Sequence, residues 1–108
     1  MEEKDIDQRI EELNKITRED GIEDYALAQF NLGYIYQEIK HDYDQAEAFY
    51  LNINKEDDPE VYALAQFNLG NLYIKVKHDY DQAEAFYLSI NIEDDPEFYD
   101  IKFNFCYY

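Results

Sequence analysis

The sequence predicts an all-α fold, a solenoid of antiparallel helix pairs with about six helices in 108 residues. Three observations carry that expectation. Residues 25–60 and 62–97 are near-copies that differ at only seven positions and lie 37 residues apart without a gap. A period of roughly 20 to 50 residues marks an architecture in which one supersecondary unit is stacked on itself. Within each copy, apolar residues recur at helical spacing, on two sides of one helix and on one side of the next. Short turns with Asp, Asn and Pro separate these stretches, so consecutive helices are antiparallel neighbours.

The period divides the chain into four segments. They are a diverged second helix over 1–20, a full unit over 21–57, another over 58–94, and the first helix of a third unit over 95–108. In the first segment Ile6, Ile10, Leu13 and Ile16 fall near helical spacing over 5–18. At the same offset of 37, Asp7-Gln8 matches Asp44-Gln45, Ile16 matches Ile53, and Glu19-Asp20 matches Glu56-Asp57. Arg9, Glu11 and Glu12 give it a charged face, as suits an end cap exposed to water.

The first helix of each full unit is expected over about 24–39 and again over about 61–76. One stripe is Ala28, Leu32, Ile35, Tyr36 and Ile39; a second is Leu27, Phe30 and Tyr34. A lone surface helix has one apolar face. Two faces mean that one side meets the partner helix and the other meets the next unit or lines a groove. Gly33 and Gly70 stand in mid-helix, where Gly costs about 1 kcal/mol relative to Ala, and close helix approach is the expected compensation. The second helix is expected over about 43–54 and 80–91, with Ala46, Phe49, Tyr50 and Ile53 on one side. Asp42 is placed to cap it, with Gln45 three residues on. At the next boundary Asp58 can cap, Pro59 fits the first helical position, and Glu60 faces the positive end of the helix dipole. In the last stretch, FYDIKFNFCYY, Phe103-Asn104 matches Phe67-Asn68 once one residue is deleted, which puts Cys106 in the glycine slot.

With these residues in place, a family likeness is visible. Leu32-Gly33-x-x-Tyr36, then Ala46-x-x-x-Tyr50, then Pro59 resembles the tetratricopeptide repeat, and so does Leu69-Gly70-x-x-Tyr73, Ala83-x-x-x-Tyr87, Pro96. Ala28-Gln29-Phe30-Asn31-Leu32-Gly33 is also similar to the related Sel-like repeats. The unit here is 37 residues against about 34 in the family. Lys40-His41 stands where the family commonly has a single Gly, and Gln29 and Gln66 fill the slot often held by Trp. The resemblance implies a right-handed superhelix whose inner groove, lined by first helices, holds a peptide or helix of a partner protein. Carried over by position, that groove presents Leu27, Phe30, Tyr34, Gln37 and Glu38 from one unit. Leu64, Phe67, Asn71, Ile74 and Lys75 come from the other. Some family members grip a C-terminal carboxylate. Asn68 and Asn71 match such slots, but Phe30 and Phe67 stand where a Lys is needed, so that clamp is not expected here.

Composition narrows the partners. Nine Lys and Arg against 26 Asp and Glu leave a net charge of −17. Nucleic-acid affinity rests on basic residues neutralising phosphates, and anionic membrane surfaces repel acid, so neither is an expected partner. The acid serves solubility and favours basic partners. Apolar residues make up 46% of the chain and aromatics 18%, which separates it from disordered acidic sequences. Cys106 is the only cysteine, so no intrachain disulfide can form. The N-terminal stretch MEEKDIDQRIEEL lacks the apolar core of a signal peptide. No apolar run approaches the ~20 residues of a membrane span. A cytoplasmic location is the expectation.

Catalytic and metal chemistry find little support. His41 and His78 each precede Asp-Tyr-Asp, but equivalent residues of stacked units lie roughly 10 Å apart, too far to share an ion directly. The acidic turns Glu56-Asp57-Asp58 and Glu93-Asp94-Asp95 lack the spacing and glycine of a calcium loop. Ser89 is the only serine and Thr17 the only threonine, and no Gly-rich phosphate loop is present. Ser89 replaces Asn52, which points to a surface position. Carboxylates fall in turns and on polar faces, with no apolar pocket evident to split their pKa values. No enzyme activity and no cofactor are expected.

The expected function is a non-enzymatic interaction module or scaffold that binds another protein or peptide, basic or apolar, in an aromatic groove rimmed by acid. An alternative is self-assembly into a homo-oligomer through Phe98, Phe103, Phe105, Tyr107 and Tyr108, which leave that end without a polar cover. A fragment of a longer array would equally carry such an end.

Overall fold

The computed structural model describes residues 3–90. The regular structure of the described residues is all helical, with no strand: α1 (Glu3–Asn14), a 3-10 turn (Arg18–Asp20), α2 (Ile22–Glu38), α3 (Tyr43–Leu51), α4 (Pro59–Lys75) and α5 (Tyr80–Leu88). These are five α-helices where about six were expected; the sixth, over 95–108, lies outside the described residues. Both ends of α2 and α3 recur in α4 and α5 at an offset of 37.

Caps and turns set the helix limits. Asp42 accepts from Gln45 N at 3.2 Å, and Asp79 accepts from Gln82 N at 3.1 Å. Asp58 accepts from both Glu60 N and Val61 N at 3.2 Å, with Pro59 as the first helical residue. Each satisfied N–H would otherwise be an orphan of the first turn. Helix α2 starts at Ile22, two residues before the expected position, because Gly21 precedes it at a φ of 138° that side-chain-bearing residues rarely adopt. Helices α3 and α5 stop at Leu51 and Leu88, three residues short of expectation. There Ile53 N and Ile90 N turn back to Tyr50 O and Tyr87 O, both at 3.2 Å. Helix α1 ends at Asn14, not 18, and Thr17 N then donates to Asp20 Oδ2 at 2.8 Å.

Within a unit, contacts run in opposite directions along the two helices. Asn52, just past α3, bonds Gln29 in the first half of α2, while Asp42 N, just before α3, bonds Tyr36 O in the second half. The pair is therefore antiparallel, and α4 with α5 repeats it. At its centre a tyrosine ring lies against bare helix. A methyl added at Gly33 would stand 2.5 Å from Tyr50 Cε1, and one at Gly70 meets Tyr87 in the same way. The glycines thus admit a ring: the expected close helix approach is made here by a tyrosine of the partner helix against bare backbone. Tyr36 stacks on Phe49 at 5.3 Å between centroids, and Tyr73 faces Phe86 at 5.2 Å.

The units pack in chain order. Tyr50, Ala46 and Ile53 of the first unit form one buried cluster with Ala65, Leu69 and Leu72 of the second. Ile6 and Leu13 of α1 cover Ala28, Leu32 and Ile35 of α2. Each fully buried Leu contributes about 1.5–3 kcal/mol over leaving it in water. Charged pairs repeat along the seam: Lys40 Nζ reaches Asp7 Oδ1 at 2.8 Å, and the equivalent Lys77 lies 3.7 Å from Asp44 Oδ1. Arg18 ties the 3-10 turn to Asp57 at 2.6 Å and sits over the Tyr25 ring at 4.6 Å.

Candidate functional site

Helices α2 and α4 lie side by side, and their C-terminal halves enclose an open depression of about 330 Å³. Its first wall is Tyr34, Gln37, Glu38 and His41, with Tyr43 at the start of α3. Its second is Asn68, Asn71, Leu72, Lys75 and Val76. Helical spacing explains most of the grouping: residues three, four and seven apart share a face, so 34, 37 and 38 of α2 rise together, as do 68, 71, 72 and 75 of α4, while His41 joins from the turn after α2.

A hydrogen-bonded chain underlies the depression. The buried Tyr50 hydroxyl donates to Gln37 Oε1 at 2.8 Å and accepts from Asn68 Nδ2 at 3.2 Å. It therefore joins the two units through a polar bond as well as through packing. Burial pushes this hydroxyl well above the usual tyrosine range, with the Asn68 bond opposing and the Glu38 charge adding to the shift. In the second unit the Tyr87 hydroxyl donates to Asn71 Oδ1. Elsewhere in each pair, Gln29 accepts from Asn52 Nδ2 at 2.9 Å, and Gln66 donates to Ser89 Oγ at 2.7 Å. Ser89 is accordingly half-buried, while Asn52 in the same slot is exposed, so the surface position expected from the exchange holds for one copy and in part for the other.

The structure brings only some of the expected groove residues together. Tyr34, Gln37 and Asn71, with Glu38 and Lys75, line the depression. Leu27 is half exposed and borders a separate shallow dip beside Leu13 and Ile16. Phe30 and Phe67 are half-buried and lean on the tyrosines of their own units, at 5.7 and 6.1 Å between centroids. Leu64 is exposed and Ile74 half-buried, both outside the depression. Phe98, Phe103, Phe105, Tyr107 and Tyr108 lie outside the described residues. Sequence reasoning missed His41, Tyr43, Leu72 and Val76. For Leu72 and Val76 a signal was present: five of the seven differences between the copies fall in 34–39 against 71–76; His41 and Tyr43, identical in both copies, gave none.

The depression offers amides, two phenols, an imidazole, an acid and an amine. Such groups can hold a polypeptide by hydrogen bonds and charge. Among the described residues no three His, Cys, Asp or Glu side chains converge as a metal site, and no helix is long and apolar enough to cross a membrane. Compared with protein-family models, curated proteins and solved structures, the chain finds no match.

Proposed function

We propose that this chain is a non-enzymatic interaction module of the tetratricopeptide type, a right-handed superhelical stack that holds a segment of another protein along the exposed face of α2 and α4. One observation carries the reading. Leu27, Tyr34 and Leu64 are 49%, 50% and 40% exposed on the two first helices, and Tyr34 also lines the depression with its polar groups. Large side chains left in water on a rigid scaffold are the usual anchors of a docked chain. The all-helical fold and the like structure of the two units support it, as does the near-identity of the copies. A cytoplasmic setting fits the single cysteine.

The test uses a display library of random dodecapeptides selected on the immobilised protein. Peptides that the wild type enriches are expected to bind the triple variant Leu27→Ser, Tyr34→Ser, Leu64→Ser at least tenfold more weakly. These side chains are too exposed for the fold to depend on them, which circular dichroism checks. Equal binding to a folded triple variant would remove this face as the site.

A further inference from the structure

Resting on the groove proposed above, we infer that its two walls read opposite charges on one guest: it takes a polypeptide segment with a basic residue at the α2 wall and an acidic residue at the α4 wall. Glu38 and Lys75 occupy the same slot 37 residues apart, as the last residues of α2 and α4, and both line the depression. Of the seven differences between the copies, this is the one that inverts a charge.

The helix dipole accounts for Lys75 and not for Glu38. A cation at the C-terminal end of a helix is favoured there and an anion is disfavoured. Glu38 accepts a hydrogen bond from the adjacent Gln37 at 3.0 Å, but it pairs with no cation among the described residues. Lys75 forms no ion pair among them either, in a chain of net charge −17. An acid held against its own helix dipole and a lysine without a carboxylate face the same depression, so both are placed for what enters it. A segment with charges of both signs satisfies the two walls. A purely basic segment meets repulsion at Lys75, and a purely acidic one meets it at Glu38. Between them, the Asn71 amide nitrogen makes no bond among the described residues, which leaves a donor for the guest's backbone.

The experiment selects random dodecapeptides from a display library on the wild type and on the charge-exchanged double variant Glu38→Lys, Lys75→Glu. Wild-type selection is expected to yield peptides with one basic and one acidic residue in fixed order and spacing. The exchanged protein should enrich the reverse order and bind wild-type-selected peptides at least tenfold more weakly. Enriched peptides without a charge pair, or bound equally by both proteins, would overturn the inference while leaving the groove standing. Enrichment by neither protein would remove both. A second reading is thermal: Glu38→Lys alone should raise Tm by roughly 2–6 °C, since it relieves the dipole conflict. A fall in Tm would show that Glu38 serves the fold, and the inference would fail.

Discussion

Tyr50 and Tyr87 hold the same place in two nearly identical units, yet their hydroxyls find different acceptors. Tyr50 donates to Gln37, whereas Tyr87 donates to Asn71. The slot of Gln37 holds Ile74 in the second unit, which cannot accept, and the slot of Asn71 holds Tyr34 in the first. The acceptor has moved three residues, about one turn, along the first helix. Two of the seven differences are thus one change, each intelligible only with the other. Asn52 and Ser89 tell the same story: the bond to the buried glutamine survives with its direction reversed. Packing fixes the rings and the glycines beneath them, because a ring on bare backbone admits one shape. The polar groups near the depression need only be satisfied, so they are free to vary.

The strongest way to break this comparison is to fill the glycines. Gly33→Ala and Gly70→Ala each gain about 1 kcal/mol of helix propensity and meet overpacking of up to about 3 kcal/mol. A net loss of about 2 kcal/mol is expected at each site, equal within error in urea unfolding. A net gain at either site would mean that the ring above it yields. Next in size is the moved acceptor. Gln37→Ile alone leaves a buried hydroxyl proton without a partner, at about 1–2 kcal/mol. Adding Tyr34→Asn should recover most of that loss, since it copies the second unit. A double-mutant cycle with coupling near zero would break the pairing of the two positions.

How far the sequence reaches is visible in the same residues. The helices, their order and their caps were legible because Asp42, Asp58 and Pro59 act on their own neighbours and because the period was written twice. The ring on Gly33 was not, since nothing local says whether a glycine meets backbone or a side chain 17 residues on. The depression was half legible. Position on the helix brought Tyr34, Gln37 and Asn71 of the expected set to its lining. Phe30 and Phe67 lie outside it, leaning on Tyr50 and Tyr87.

A smaller effect is expected at the turns. His41 and His78 adopt φ of 55° and 54°, the left-handed region that favours glycine. His41→Gly and His78→Gly should each stabilise by up to about 1 kcal/mol in thermal unfolding, and by the same amount in both units. Unequal gains would show that one histidine does more than turn the chain.

The smallest expected effect separates the two seams between layers. Ile10 of α1 and Glu47 of α3 hold the same slot, so the first seam is apolar where the second carries a carboxylate. Lys77 lies 3.5 Å from Glu47 and 4.9 Å from the centre of the Tyr73 ring. The neighbouring Glu47 carboxylate, followed by burial and the other nearby acids, holds the Tyr73 hydroxyl up to about 12. A raised tyrosine pKa means that the folded state keeps its proton where the unfolded chain has begun to lose it. Its contribution is therefore fully present below pH ~10, the ordinary tyrosine value, and is lost as pH rises through the folded value. Glu47→Ile, which copies the first seam, should bring the Tyr73 titration down toward ~10, read by ultraviolet absorbance against a Tyr73→Phe control. The variant should also lose less stability than the wild type across that alkaline window. An unmoved titration would mean that burial and the acids Asp79 and Asp44 hold the proton without Glu47, and the Ile10/Glu47 exchange would then change packing without changing electrostatics.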